Sequence, residues 1–143
     1  MTTLTAANVT VTLSIASIFP TPQQIQGFGP DDVIEFADVE PAEIQTGVDG
    51  KMSYGWVFVP VPMDLTLQAD SASNNVFEAW NAAQQANQEI YVATGVIHVP
   101  GTARGYIMTN GVLTTYKPGP PVKKLLQPRK YKITWQSVIA GPI

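Results

Sequence analysis

The stretch "NVTVTLSIAS", residues 8–17, alternates Val9, Val11, Leu13 and Ile15 with Thr10, Thr12, Ser14 and Ala16. Successive side chains of an extended chain point to opposite faces, so a period of two gathers the aliphatic set on one side and the hydroxyls on the other. It predicts a half-buried β-strand whose second face is neutral and flat, able to meet solvent, a lumen or a neighbour. The same period returns where Leu65, Leu67 and Ala69 alternate with Asp64, Thr66 and Gln68, and where Tyr131, Ile133 and Trp135 alternate with Lys132, Thr134 and Gln136. "VIEFADVE", residues 33–40, reads as a strand with Ile34 and Phe36 directed inward, and "IYVATGVIHV", residues 90–99, has strand composition. "SASNNVFEAWNAAQQANQ", residues 71–88, breaks the pattern: Val76, Phe77, Trp80 and Ala83 fall at helical spacing, Ser73 stands where a cap belongs, and Asn81, Gln84, Gln85 and Gln88 make the opposite face amide-rich.

Turn chemistry organises the rest. "PTPQQIQGFGPDD", residues 20–32, reads as a loop, and Asp49-Gly50 favours positive φ between two extended arms, predicting a hairpin within "EIQTGVDGKMSYGWVFVPVP". Its second arm, broken by glycine and ended by proline, suits an edge or a protrusion spanning about residues 44–62. Asn110-Gly111 in "GYIMTNGVLTTY" predicts another hairpin. These elements predict a mainly β protein, residues 1–143 forming one domain of two packed antiparallel sheets, a β-sandwich or partly closed barrel, with one α-helix.

The 143 residues include no cysteine, which excludes disulfides and thiolate metal sites. The opening lacks the basic and apolar regions of a secretory signal, and no apolar run is long enough to span a membrane. The one histidine, His98, has no partners arranged for acid–base work, and no nucleophile elbow, phosphate loop, calcium loop or metal-binding histidine pair occurs. Neither an enzyme nor a cofactor is implied.

Charge is the unusual feature. Residues 1–103 hold all eleven acids and a single base, Lys51, whereas seven bases and no acid follow from Arg104 onward. "KPGPPVKKLLQPRKYK", residues 117–132, carries six of those bases. Lysines beside Tyr131 and Trp135 could pair with phosphates and stack bases, as in a single-strand-binding barrel. The pI of about 4.9 and the acidic majority oppose that reading. Opposite poles on a subunit with only 13% charged residues suit head-to-tail association of identical copies, which closes into rings or runs on as filaments.

At this point the chain resembles the tail tube proteins of contractile-tailed bacteriophages. The resemblance is carried by "TGVDGKMSYGWVFVPVPMDLTLQADSASNNVFEAW" and "NGVLTTYKPGPPVKKLLQPRKYKITW", with the Asp49-Gly50 hairpin, the strand running into the Trp80 helix, and the lysines and "QP" before the last strand. It implies a fold shared with secretion-system, Hcp-like tube proteins, and hexameric rings stacked helically into a hollow tube. That tube houses the tape-measure protein, is surrounded by the sheath, meets baseplate and tail-terminator proteins, and conducts DNA without specific binding. A virion component assembled in the host cytoplasm is implied, with tailocin and secretion-system tubes as alternatives. On this reading Asp49, Gly50, Lys51, Tyr54 and Trp56 of the arm, together with Lys123, Lys124, Arg129 and Lys130, are expected at subunit interfaces. Asp31, Asp32, Asp38, Asp64 and Asp70 are expected to face the bore, where negative charge keeps phosphates from sticking.

Overall fold

The computed structural model describes residues 9–16, 18–25, 34–120 and 122–142. Nine strands and one helix follow in order: β1 (Thr10–Ile15), β2 (Phe19–Ile25), β3 (Ile34–Phe36), β4 (Ala42–Thr46), β5 (Met52–Trp56), β6 (Val61–Leu67), α1 (Asn74–Asn87), β7 (Ala93–Val99), β8 (Arg104–Tyr116) and β9 (Arg129–Pro142). Seven strands form one antiparallel sheet in the order β2-β1-β7-β8-β9-β6-β3, and β4 and β5 pair only with each other.

The large sheet is folded over on itself. β1 and β3 stand five places apart in the hydrogen-bonded order, about 24 Å in a flat sheet, yet Val9, Ile34, Phe36 and Ile97 line one cleft of about 450 Å³. The fold-over is built into β8 and β9, which at 13 and 14 residues run through both layers. Thr109 and Asn110 of β8 together oppose the single Thr94 of β7, because Ala93 pairs with Gly111 and Gly95 with Met108. This is a β-bulge, and Asn110 takes the left-handed conformation at φ 49° that it requires. Beyond it Met108 and Gly111, three residues apart, both point into the core. Val138 and Trp135, their partners on β9, face the same way. Sandwich corners form where strands pass from one layer to the other through bulges.

The expected two-layer, mainly β fold with one helix is therefore present, and one turn is corrected. Asn110-Gly111 lies inside β8 and reverses nothing; its tolerance of positive φ serves the corner. Trp135 fills that corner. An added Cβ on Gly95 would come within 3.1 Å of its ring, and one on Gly111 would overlap it, so both glycines are the space the indole occupies.

A second correction concerns residues 20–25, which lie in edge strand β2 where a loop was expected. Apolar alternation is absent there, and prolines are tolerated at an edge because no ladder bond is asked of their nitrogen on the open side. Residues 26–32 of that expected loop, with Asp31 and Asp32, lie outside the described residues.

The helix covers one end of the sandwich. Phe77 stacks on Tyr131 with ring centres 4.1 Å apart, and Trp80, fully buried, donates its indole N–H to the Tyr91 carbonyl at 2.9 Å. Burial of each such side chain contributes roughly 1.5–3 kcal/mol. Ser73 does not cap the helix through its side chain, because it already has helical φ and ψ. The hydroxyl acting at this end is that of Ser71, which accepts the Ser73 N–H at 3.2 Å. On the amide-rich face, Gln84 accepts the Tyr91 N–H, and Asn87 donates to the Tyr91 hydroxyl.

Candidate assembly surface

The arm is a hairpin as expected. Gly47 donates to Lys51 O and Gly50 donates to Gly47 O; Gly50 takes φ 84°, and the Asp49 carboxylate accepts the Lys51 N–H at 3.1 Å. Asp49 and Gly50 thus shape the tip, which leaves the two strands to present the surface. Ala42, Ile44 and Thr46 pair with Trp56, Tyr54 and Met52 on one face, while Glu43 and Gln45 pair with Gly55 and Ser53 on the other. Every residue of both strands is exposed, Trp56 at 70% and Tyr54 at 79%, and Lys51 is exposed as well. A two-stranded ribbon is marginally stable in water by itself, and one with a bare aromatic face has a surface to cover. At its root Val57 donates to Pro41 O at 2.7 Å, and Trp56 meets Phe58 edge-to-face at 6.5 Å. A groove of about 600 Å³ opens there, walled by Val39, Pro41, Trp56, Phe58, Val61 and Val138.

The basic half divides in two. Lys123 and Lys124 are exposed in the connection between β8 and β9, where Val122 bridges to Leu126; Lys130 is exposed on β9 opposite Thr66. Arg129, expected at an interface, is instead 3% exposed within the subunit. It bonds Glu78 of the helix at 2.7 Å and the carbonyl of Lys117 at 3.1 Å, and lies 5.4 Å from the Tyr131 ring centre. A buried guanidinium needs a counter-charge and acceptors, and these hold it inside. This is the only ion pair among the described residues, so the split of charge along the chain is not neutralised by pairing across the fold.

Tyr131 beneath it donates its hydroxyl to Asn74 Oδ1 at 2.8 Å. Burial pushes the phenol up to about 12; Arg129 pulls it down and Glu78 pushes it up, both more weakly. The folded state therefore holds this proton more tightly than the unfolded chain, whose tyrosine titrates near 10. The resulting stability, on the order of 2–3 kcal/mol, is complete below about pH 10 and is lost as pH rises through about 12. Alkaline unfolding followed by circular dichroism is expected to steepen in that window. In Tyr131→Phe that dependence flattens, while stability at neutral pH falls by about 1–2 kcal/mol because Asn74 loses a partner.

Of the acids expected at the bore, the three among the described residues do not converge on one patch. Asp38 is exposed beside the arm root, Asp64 is exposed on the outer face of β6 between Glu35 and Lys132 in register, and Asp70 is exposed beyond the other end of β6. They are strung along the length of that strand. His98 is exposed on β7 opposite Thr10 and Gly105. Among the described residues no cluster of three or more metal-ligating side chains occurs, and no helix is long and apolar enough to cross a membrane.

Sequence reasoning missed two apolar features. Val122 and Leu125 stand about three-quarters exposed, at 77% and 76%, on either side of Lys123 and Lys124. A leucine pair inside a lysine- and proline-rich connection was the available signal. The other is a neutral row on the outer face, Thr12, Val96, Ile107 and Ile139, each opposite the next across four strands.

This fold is similar to that of chains in solved structures of contractile injection systems. The chain superimposes on one from the extended sheath-tube complex of an extracellular contractile injection system, PVC, with TM-score 0.66 and 12% identity, covering 93% of this chain and 88% of that one. A chain in the sheath/tube terminator structure of the same system gives 0.68 and 11%, with 99% and 98% covered. One in the six-fold symmetrised baseplate of the anti-feeding prophage gives 0.65 and 12%, again with 99% and 98% covered. The protein belongs to the family described as tail fiber protein gp32, whose model matches residues 2–139. No curated protein matches it by sequence.

Proposed function

We propose that this chain is the tube subunit of a contractile tail, assembling into six-membered rings that stack inside a sheath. The observation that carries this reading is the arm: a hairpin with an aromatic face whose two strands are exposed throughout and, among the described residues, pair only with each other. Likeness in fold, over nearly the whole chain, to chains from sheath-tube, terminator and baseplate structures supports it. In this assembly Tyr54, Trp56 and Lys51 lie against a neighbouring subunit, held at the angle that Asp49 and Gly50 set. Lys123, Lys124 and Lys130 face acidic surface on adjacent copies. Asp38, Asp64 and Asp70 contribute negative potential to the bore, as do Asp31 and Asp32, through which a tape-measure protein and then DNA pass without specific binding. The role is structural, in the virion, after assembly in the host cytoplasm. Baseplate and terminator proteins close the two ends.

Purified protein at high concentration, viewed by negative-stain microscopy, is expected to show rings and tubes of uniform width. A monodisperse monomer under all conditions would exclude the role. Capsid genes beside the coding sequence distinguish a phage tail from a tailocin or secretion-system tube.

A further inference from the structure

Two of the bare surfaces of this subunit lie at opposite ends of one strand. β6 pairs with β9 from Val61 opposite Trp135 to Leu67 opposite Arg129. The groove at the arm root opens at the Val61 end; the Val122–Leu126 loop leads into β9 at the Arg129 end. Seven extended residues separate them by about 20 Å, so one copy is poorly placed to bring them together. Their chemistry is complementary. The groove has apolar and aromatic walls, with Phe58 at 94% exposure, and Asp38 and Glu40, both exposed, flank Val39 of its wall. The loop offers Val122, Leu125 and Leu126 bare around two lysines with no carboxylate in reach among the described residues.

We infer that the Val122–Leu126 loop of one copy seats in the arm-root groove of the next, its aliphatic side chains against Trp56 and Phe58 and its lysines against Asp38 and Glu40. The occupant is a second copy of this chain. Because socket and plug differ and sit at opposite ends of a subunit, the contact is heterologous and passes from copy to copy instead of closing a dimer. It deepens the tube reading, on which it rests, by assigning the contact that joins successive rings.

The natural chain has no cysteine, so engineered pairs report cleanly. Leu125→Cys combined with Phe58→Cys is expected to give, on mild oxidation of assembled protein, a reducible ladder extending well beyond the dimer, whereas either single variant stays monomeric on the gel or forms only a faint dimer. Tubes in the microscope without a ladder would overturn the contact and leave the tube reading standing. A ladder without tubes would keep the head-to-tail contact and overturn the tube. Neither ladder nor tubes would overturn both. Independently, Lys123→Glu with Lys124→Glu is expected to raise the concentration needed for polymerisation on the order of tenfold or more, and adding Asp38→Lys with Glu40→Lys should recover most of it. Melting curves matching the natural chain confirm that each variant folds, and failure of the compensating pair to restore polymers would count against the assigned partners.

Discussion

Gly111→Ala is expected to destabilise the fold by about 1–3 kcal/mol, although the glycine needs no unusual backbone angle. The added methyl would overlap the Trp135 ring, and that ring is fully buried and already lies close to Gly95. Truncating the indole itself, Trp135→Ala, opens the corner and is expected to cost about 3–5 kcal/mol. Urea denaturation followed by far-UV circular dichroism measures both. Gly119→Ala, where nothing lies within 4 Å of the added carbon, is the matched control and should leave the midpoint unchanged. Combining Gly111→Ala with Trp135→Leu should cost less than the two single effects together, since the smaller side chain clears the methyl. Strict additivity would show that the two residues do not share one space.

Replacing residues 43–56 by a short Gly-Ser link is expected to abolish assembly while leaving the subunit folded. Among the described residues the arm contributes none to the buried core, and its strands pair only with each other, so a melting temperature within a few degrees of the natural chain is expected. Polymerisation is different, since buried aromatics dominate interface energies. Losing Tyr54 and Trp56 together should raise the required concentration at least about a hundredfold. Sedimentation and negative-stain microscopy read the result. Tubes of normal width from the shortened chain would show that the arm is ornamental.

What the sequence could disclose follows from which physics is local. β1 and the first half of β9 were legible because one face meets the core and the other is more open, which writes a period of two into the residues; β6 keeps that period in sequence although Thr66 is buried with Leu65 and Leu67. The arm tip was legible because Asp49-Gly50 encodes a backbone conformation directly. Asn110-Gly111 encodes the same tolerance, but whether positive φ reverses the chain or kinks a continuing strand depends on Thr94 and Gln136, which are remote in sequence. Arg129 was read as a surface charge from its type. Its position held the contrary signal, for it lies in phase with Tyr131, Ile133 and Trp135 and so points inward with them. Its counter-charge, Glu78, is 51 residues away, beyond any local pattern. The arm-root groove draws its walls from β5, the segments around β3 and β6, and the far half of β9, so no single stretch announces it.

The two longest strands cross from one layer of the sandwich to the other at the Trp135 corner. Sliding one layer over its mate would therefore tension covalent backbone in two places, where separate layers would merely exchange side-chain contacts. A subunit made this way is expected to resist shear between its layers as one shell, the mechanical property that the proposed tube wall calls for.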